Sequence, residues 1–315
     1  GKMKMLTAKK FTRHTGYIFC SLAAITFFIA GTKNVSAQTN WAQIFHMNPK
    51  LPTLFLIGDS TVRNGRGKGD GGQWGWGDEL APFFDTNKIN VVNDALGGTS
   101  SRTFYRDCWP GVKAMIKPGD FVIMQFGHND SSPINETEAG PKARARGTIR
   151  GVGDEIVCVT NVLTKRFEVV HSFGWYEKQI VAETRARGAA PMICSMIPHN
   201  RWQGDRADIA PDRKSYAGWA GEVANIERAP FLDINEIIAR KYDALGQEKV
   251  NALFIAGAGP HTSLAGAQTN ALCVVAALKG LRENPLAQFF SEKADGVPPA
   301  HLSPIESNHS TPDKN

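Results

Sequence analysis

A chain of 315 residues with 42% hydrophobic and 21% charged side chains has the make-up of a globular protein with a sizeable core, which excludes a disordered, collagen-like or disulfide-dense chain. Its 36 Lys and Arg against 30 Asp and Glu give a formal charge of +6, but six of those cations (Lys2, Lys4, Lys9, Lys10, Arg13 and Lys33) lie in residues 1–37, which hold no acid. The remainder is formally neutral, so charge makes no case for a nucleic-acid partner.

Lys9, Lys10 and Arg13 precede an apolar run from Tyr17 to Ala30, and Val35-Ser36-Ala37 follows with small residues. A charged start, a short apolar centre and a small-residue exit are the parts of a secretory signal peptide. The 14-residue run falls short of the roughly 20 that a membrane-spanning helix needs. Cleavage after Ala37 is expected, with an uncleaved anchor as the alternative, and the mature protein is expected to be secreted or periplasmic without stable membrane insertion. A lead-in over residues 38–51 would precede the folded domain.

Strand-length apolar runs follow in chain order at Thr53–Ile57, Asn90–Asn93, Phe121–Phe126, Pro191–Ile197 and Pro230–Ile234. Between them the pattern predicts helices at Gly77–Phe84, Val112–Ile116, Trp175–Arg187, Arg213–Ile226 and Asn235–Ala244, with a last one from Leu264 to about Leu281. This alternation predicts a three-layer α/β/α fold around one parallel sheet. Residues 131–153 have no apolar period and read as a long surface loop. Glu155–Val159 and Arg166–Ser172 read as an inserted β-hairpin. The domain is expected to span residues 52–284, and residues 285–315 to form a polar tail. Cys194 and Cys273 lie in apolar runs and read as packed thiols. An oxidising compartment would permit a Cys108–Cys158 bridge that spacing alone does not select, and no spacing matches a zinc site.

Open α/β sheets bind ligands at the carboxyl ends of their strands. There the sequence places Gly58-Asp59-Ser60-Thr61, then Asn93 to Ser100 with Gly97-Gly98, then Gly127-His128-Asn129-Asp130. Gly259-Pro260-His261-Thr262-Ser263 opens the last helix. A serine, a histidine, an amide and glycine N–H groups are the parts acyl transfer needs. Each block alone also suits a plain turn; the four together in this order do not reduce to turns.

These blocks resemble those of the SGNH (GDSL) hydrolases, and most closely the rhamnogalacturonan acetylesterase family. The likeness extends to Arg102, Gly75-Trp76-Gly77, Asp233-Ile234-Asn235 and Ala265-Gly266-Ala267, over about Pro52 to Asn284. It implies a flavodoxin-like sheet, Ser60 as nucleophile, His261 as general base, and an oxyanion hole made of the Ser60 and Gly98 N–H groups and the Asn129 side chain. It implies no metal or organic cofactor. The family pattern also places an aspartate three residues before the histidine, where this chain has Ala258. Loss of such a partner costs about 10⁴-fold in kcat in serine-protease templates. A backbone carbonyl orienting His261, a distant carboxylate, or an impaired enzyme are the readings left open.

The resemblance points to an acetylated plant cell-wall polysaccharide, rhamnogalacturonan of pectin foremost, as substrate. The alternatives are another acetylated polysaccharide or lipid-like ester, and a silent carbohydrate-binding homologue. Among Trp74, Trp76, Trp202 and Trp219, the sequence favours Trp202 as a sugar platform. Arg102 and Arg201 are candidates for uronate carboxylates, with loop bracing as the alternative.

Overall fold

The computed structural model describes residues 47–207 and 215–301. The expected signal peptide lies outside the described residues. Five parallel strands form the central sheet: β1 (Thr53–Gly58), β2 (Asn90–Asn93), β3 (Phe121–Gln125), β6 (Ala190–Cys194) and β9 (Phe231–Leu232), in the order β2-β1-β3-β6-β9. Each forms because a short apolar run can be buried on both faces. Leu54 and Leu56 of β1 join one apolar cluster with Ile123 and Met192. Phe55 and Ile57 join the other with Val122, Met124 and Ile193. The period-2 alternation thus feeds two cores rather than one core and solvent.

Helices cover both faces. On one side lie α1 (Ser101–Asp107), α2 (Trp109–Met115), α3 (Phe173–Ala186) and α4 (Tyr216–Glu227), contributing Phe104, Trp109, Ile180 and Val223. On the other lie α5 (Ile234–Leu245), α6 (Gln247–Asn251) and α7 (Leu264–Gly280), contributing Ile238, Tyr242, Val250 and Val274. The fold class expected from the sequence is the one observed. The predicted hairpin also forms, as β4 (Ile156–Thr160) paired antiparallel with β5 (Phe167–His171). One face of it carries Val170 into the core, while Ile156, Cys158, Phe167 and Val169 on the other are exposed.

The departures have local causes. The predicted helix over Gly77–Phe84 is two 3-10 turns, Trp76–Glu79 and Ala81–Phe83. Pro82 breaks the run there, and the Asn93 amide crowds Gly77 at 2.8 Å from where its Cβ would sit. Helix α1 was not expected, because its sequence has no apolar period; Ser100 starts it by accepting the Thr103 N–H. A small hairpin of β7 (Trp202–Gln203) and β8 (Arg206–Ala207) was likewise missed. The expected tail begins later than Pro285: Leu286 is fully buried, Ser291 donates its N–H to the Phe83 carbonyl, and α8 (Glu292–Asp295) buries Ala294. Cys108, Cys158, Cys194 and Cys273 are all free thiols, so the permitted Cys108–Cys158 bridge is not formed. Among the described residues no helix is long and apolar enough to cross a membrane.

One buried group works against the fold. Glu177 of α3 is 0% exposed, and among the described residues neither carboxyl oxygen has a hydrogen-bond partner. Burial, with the nearby Asp130 charge, pushes its pKa well above the ordinary value. The folded state therefore holds a proton that the unfolded chain releases above about pH 4.3, so this group costs more stability as pH rises. Glu177→Gln, which mimics the protonated form, is expected to raise Tm by a few degrees at pH 8, at about 2–4 °C per kcal/mol, and by less at pH 5. Thermal melts of both proteins at the two pH values check this.

Candidate active site

In the order β2-β1-β3-β6 the connection leaving β1 runs to β2 on one side and the connection leaving β3 runs to β6 on the other, which opens a crevice at the carboxyl ends of β1 and β3. Gly58 closes β1 so tightly against β3 that a Cβ there would lie 2.5 Å from the Gln125 carbonyl. The turn beyond it is fixed from beneath. Asp59 is buried, and its Oδ1 accepts the Thr61 N–H at 2.8 Å and the Thr61 hydroxyl at 2.7 Å. Thr61 Oγ1 accepts from the Gln125 amide, whose oxygen accepts the Trp76 indole N–H at 2.9 Å. Asp59, Thr61, Gln125 and Trp76 are all within 1% of full burial, so half-buried Ser60 stands on a chain shielded from water.

His261 arrives from the loop before α7. Thr262 forms a bridge to Trp74, accepting its N–H at 3.0 Å and donating its hydroxyl to the Trp74 carbonyl at 2.8 Å. Ser263 then caps α7 by accepting the Gly266 N–H. Between these anchors His261 Nε2 lies 2.9 Å from Ser60 Oγ, across 201 residues of sequence. That is the separation at which an imidazole takes a hydroxyl proton.

The loop after β2 lies over Ser60, with the Gly97 Cβ direction meeting the Ser60 Cβ at 3.5 Å. Gly98 adopts φ +85°, open to glycine and strained for other residues. Among the described residues, neither the Ser60 nor the Gly98 N–H donates to any protein group. Asn129 gives one amide hydrogen to the Thr99 carbonyl at 2.8 Å and keeps the other. The structure thus brings Ser60 and His261 into contact and ties Asn129 to the loop of residues 97–99 that lies over Ser60. Such unspent donors around a hydroxyl can bind a developing oxyanion.

Ala258 stands in the turn before His261 and accepts the His261 N–H at 3.4 Å. Among the described residues no carbonyl or carboxylate hydrogen-bonds to His261 Nδ1. Burial lowers the His261 pKa below the ordinary 6.5, and the Asp59 charge opposes this. Burial raises Asp59 to about 6 against its Thr61 hydrogen bonds and the charges of His261 and Arg146. Asp130, which accepts from Ser101 and the Gly127 N–H, is raised by burial to about 7.

Two candidates for substrate contact stand corrected or qualified. Arg102 is 2% exposed and paired with Glu168 at 2.6 Å, and it donates to the Ile134 and Gly147 carbonyls. It braces the loop and hairpin and has no surface left for a uronate. Trp202 is half-buried, packs on the core and donates to Asn200 at 2.9 Å, while Arg201 beside it is exposed. Trp76 is fully buried beneath the site and Trp219 is buried in the opposite core. Sequence reasoning missed three features. His128 Nδ1 lies 3.2 Å from His199 Nε2, and burial, helped by the His261 charge, pushes its pKa down to about 3. Gln125 carries the link between Trp76 and Thr61. Arg146 reaches Gly98 from a loop that has no pattern to mark it. Among the described residues no three His, Cys, Asp or Glu side chains gather as a metal site.

Residues 56–268 match the GDSL-like Lipase/Acylhydrolase family. The chain is 29% identical over 203 residues to a rhamnogalacturonan acetylesterase of Emericella nidulans, covering 64% of this chain and 75% of that protein. It is 28% identical over 236 residues to the probable rhamnogalacturonan acetylesterase YesY of Bacillus subtilis, covering 73% and 92%. The crystal structure of Bacillus subtilis YxiM shares the fold with a TM-score of 0.57 at 22% identity, over 73% of this chain and 56% of that one.

Asp59 is the carboxylate whose charge His261 feels. Its negative charge raises the imidazole pKa, so Asp59→Asn is expected to move the His261 titration to lower pH. The wild-type midpoint is expected below 6.5, and the variant's lower still. NMR titration of the His261 ring protons reads both without depending on turnover, and an unmoved midpoint would remove Asp59 from this role.

Proposed function

The chain belongs to the GDSL-like lipase/acylhydrolase family and is a carboxylic-ester hydrolase, and from that premise we propose that it is an exported esterase removing O-acetyl groups from pectic polysaccharide, acetylated rhamnogalacturonan in particular. The observation that carries the chemistry is the 2.9 Å contact between Ser60 Oγ and His261 Nε2, and the Ser60 and Gly98 N–H groups, which donate to no protein group among the described residues, support it. The named rhamnogalacturonan acetylesterases among its relatives support the substrate.

In this reading His261 takes the Ser60 proton as Oγ attacks the acetyl carbonyl. The Ser60 and Gly98 N–H groups and the free Asn129 amide hydrogen receive the charge of the tetrahedral oxygen. His261 then gives its proton to the departing sugar hydroxyl, leaving acetyl-Ser60. Water, deprotonated by the same imidazole, releases acetate and restores the serine. Export rests on the charged and apolar pattern of residues 1–37. Arg201 and Trp202, at the rim beyond β6, are the candidates for sugar contact.

Ala258 favours a second reading, in which the chain binds acetylated polysaccharide with little turnover. The two separate cleanly. Hydrolysis of p-nitrophenyl acetate by the unmodified chain, falling by about 10³-fold or more in Ser60→Ala, is the expected result. Ala258→Asp is expected to raise kcat, by up to about 10⁴-fold, as the imidazole gains a hydrogen-bonded partner. Activity found only in Ala258→Asp would support the binding reading. Faster acetate release from acetylated rhamnogalacturonan than from acetylxylan or from longer acyl esters checks the substrate.

A further inference from the structure

The segment between β3 and β4 lacks regular structure, yet its backbone around Arg146 is held from four directions. Gly147 donates its N–H to the Pro133 carbonyl at 2.9 Å, and Thr148 donates to the Asp130 carbonyl at 3.1 Å. The Ser100 hydroxyl donates to the Arg146 carbonyl at 2.6 Å, and the Asn161 amide donates to the Ala145 carbonyl at 3.0 Å. Ala145 is 2% exposed and adopts φ +38°, a conformation that L side chains rarely take. Gly147 presses on Ser132 so closely that a Cβ would sit 1.8 Å from its carbonyl oxygen. Strain held in place by this many contacts marks a segment whose geometry is used.

What the segment holds is the Arg146 guanidinium. Its Nη1 donates to the Gly98 carbonyl at 2.6 Å, and its Nε donates to Ser132 Oγ at 3.1 Å. Gly98 sits at positive φ over Ser60, where a free glycine loop has several orientations of similar energy. A guanidinium bonded to the carbonyl of that residue selects one of them. The cation also lies one peptide from the Gly98 N–H, and the buried Asp59 and Asp130 balance its charge.

We infer that Arg146 is a positioning residue of the esterase: by holding the Gly98 carbonyl it fixes the backbone torsions of Gly98, and with them the direction of the N–H toward the tetrahedral oxygen, and it adds positive potential there. It need not touch substrate. The inference rests on the acyl-transfer reading of Ser60 and Gly98, and one measurement keeps the two apart.

With p-nitrophenyl acetate, Arg146→Gln is expected to lower kcat by about 10- to 100-fold with KM changed less than about threefold, the pattern of a lost oxyanion interaction. Added guanidinium ion is expected to restore part of the rate of Arg146→Ala, which a purely structural role would not allow. Independently of turnover, the Gly98 amide resonance is expected to shift and broaden in Arg146→Gln. An unchanged Gly98 amide would overturn the inference, as would a loss confined to KM. A displaced Gly98 amide in a chain without Ser60-dependent turnover would overturn the esterase reading instead and leave the positioning role standing.

Discussion

The close contact between the ends of β1 and β3 is the constraint on which the site depends. Gly58 can approach the Gln125 carbonyl only because it has no side chain. That approach lets Gln125 reach Thr61 from one side and Trp76 from the other. Each of these polar groups is buried, and a buried polar group left without a partner costs about 1–3 kcal/mol. The chain from Trp76 to Asp59 is therefore close to all-or-none: with its members paired it is rigid, and loss of one strands the next. Ser60 inherits that rigidity, while the Gly97-Gly98 loop over it depends on contacts from outside the sheet.

Burial also sets the charge state of the site. Asp59, Asp78 and Asp130 are each raised by desolvation, to about 6, 6 and 7. Backbone N–H groups and neighbouring cations pull them back toward ionisation. These carboxylates serve mainly as acceptors that tie loops to the strand ends: Asp78 to Gly75 and Asn64, Asp130 to Gly127 and Ser101. Arg146 balances part of this buried negative charge while holding Gly98. The same electrostatics that organise the loops thus bear on the imidazole beside them.

Much of this was legible in the sequence because it depends on local pattern. The strands announced themselves as short apolar runs ending at glycine or polar residues, and the hairpin as two β-branched runs. The polar blocks holding Ser60, Gly98 and Asn129 stand out because strand ends collect ligand-binding groups in such sheets, while the roles of these residues and of His261 come from the family resemblance. What escaped depends on contacts that no local pattern encodes. The sequence leaves Arg102 between a uronate contact and loop bracing, and only Glu168, 66 residues away, decides for bracing. Arg146 lies in a stretch of Arg, Ala and Gly whose meaning comes from the Gly98 carbonyl 48 residues upstream. The docking of Leu286 and Ala294 extends the core past the point where the apolar period fades.

The alanine before His261 divides what an acidic partner normally supplies. A carboxylate hydrogen-bonded to Nδ1 fixes the tautomer, fixes the ring orientation and stabilises the imidazolium. Here the backbone fixes where the residue sits, through the Thr262 bridge to Trp74 on one side, the Ile255 N–H to the His261 carbonyl on the other and the Ser263 cap beyond, and the contact with Ser60 Oγ orients the ring. Stabilisation of the charge falls to Asp59, which acts through space and without a hydrogen bond to the ring. A Coulombic contact of that kind offsets part of the desolvation of an imidazolium but does not choose which nitrogen carries the proton. The tautomer is what no hydrogen-bonded partner among the described residues selects, and the hydroxyl of Ser60 can donate to Nε2 only when the proton sits on Nδ1. A catalytic deficit in this chain would therefore arise from the population of that tautomer rather than from misplacement of the ring.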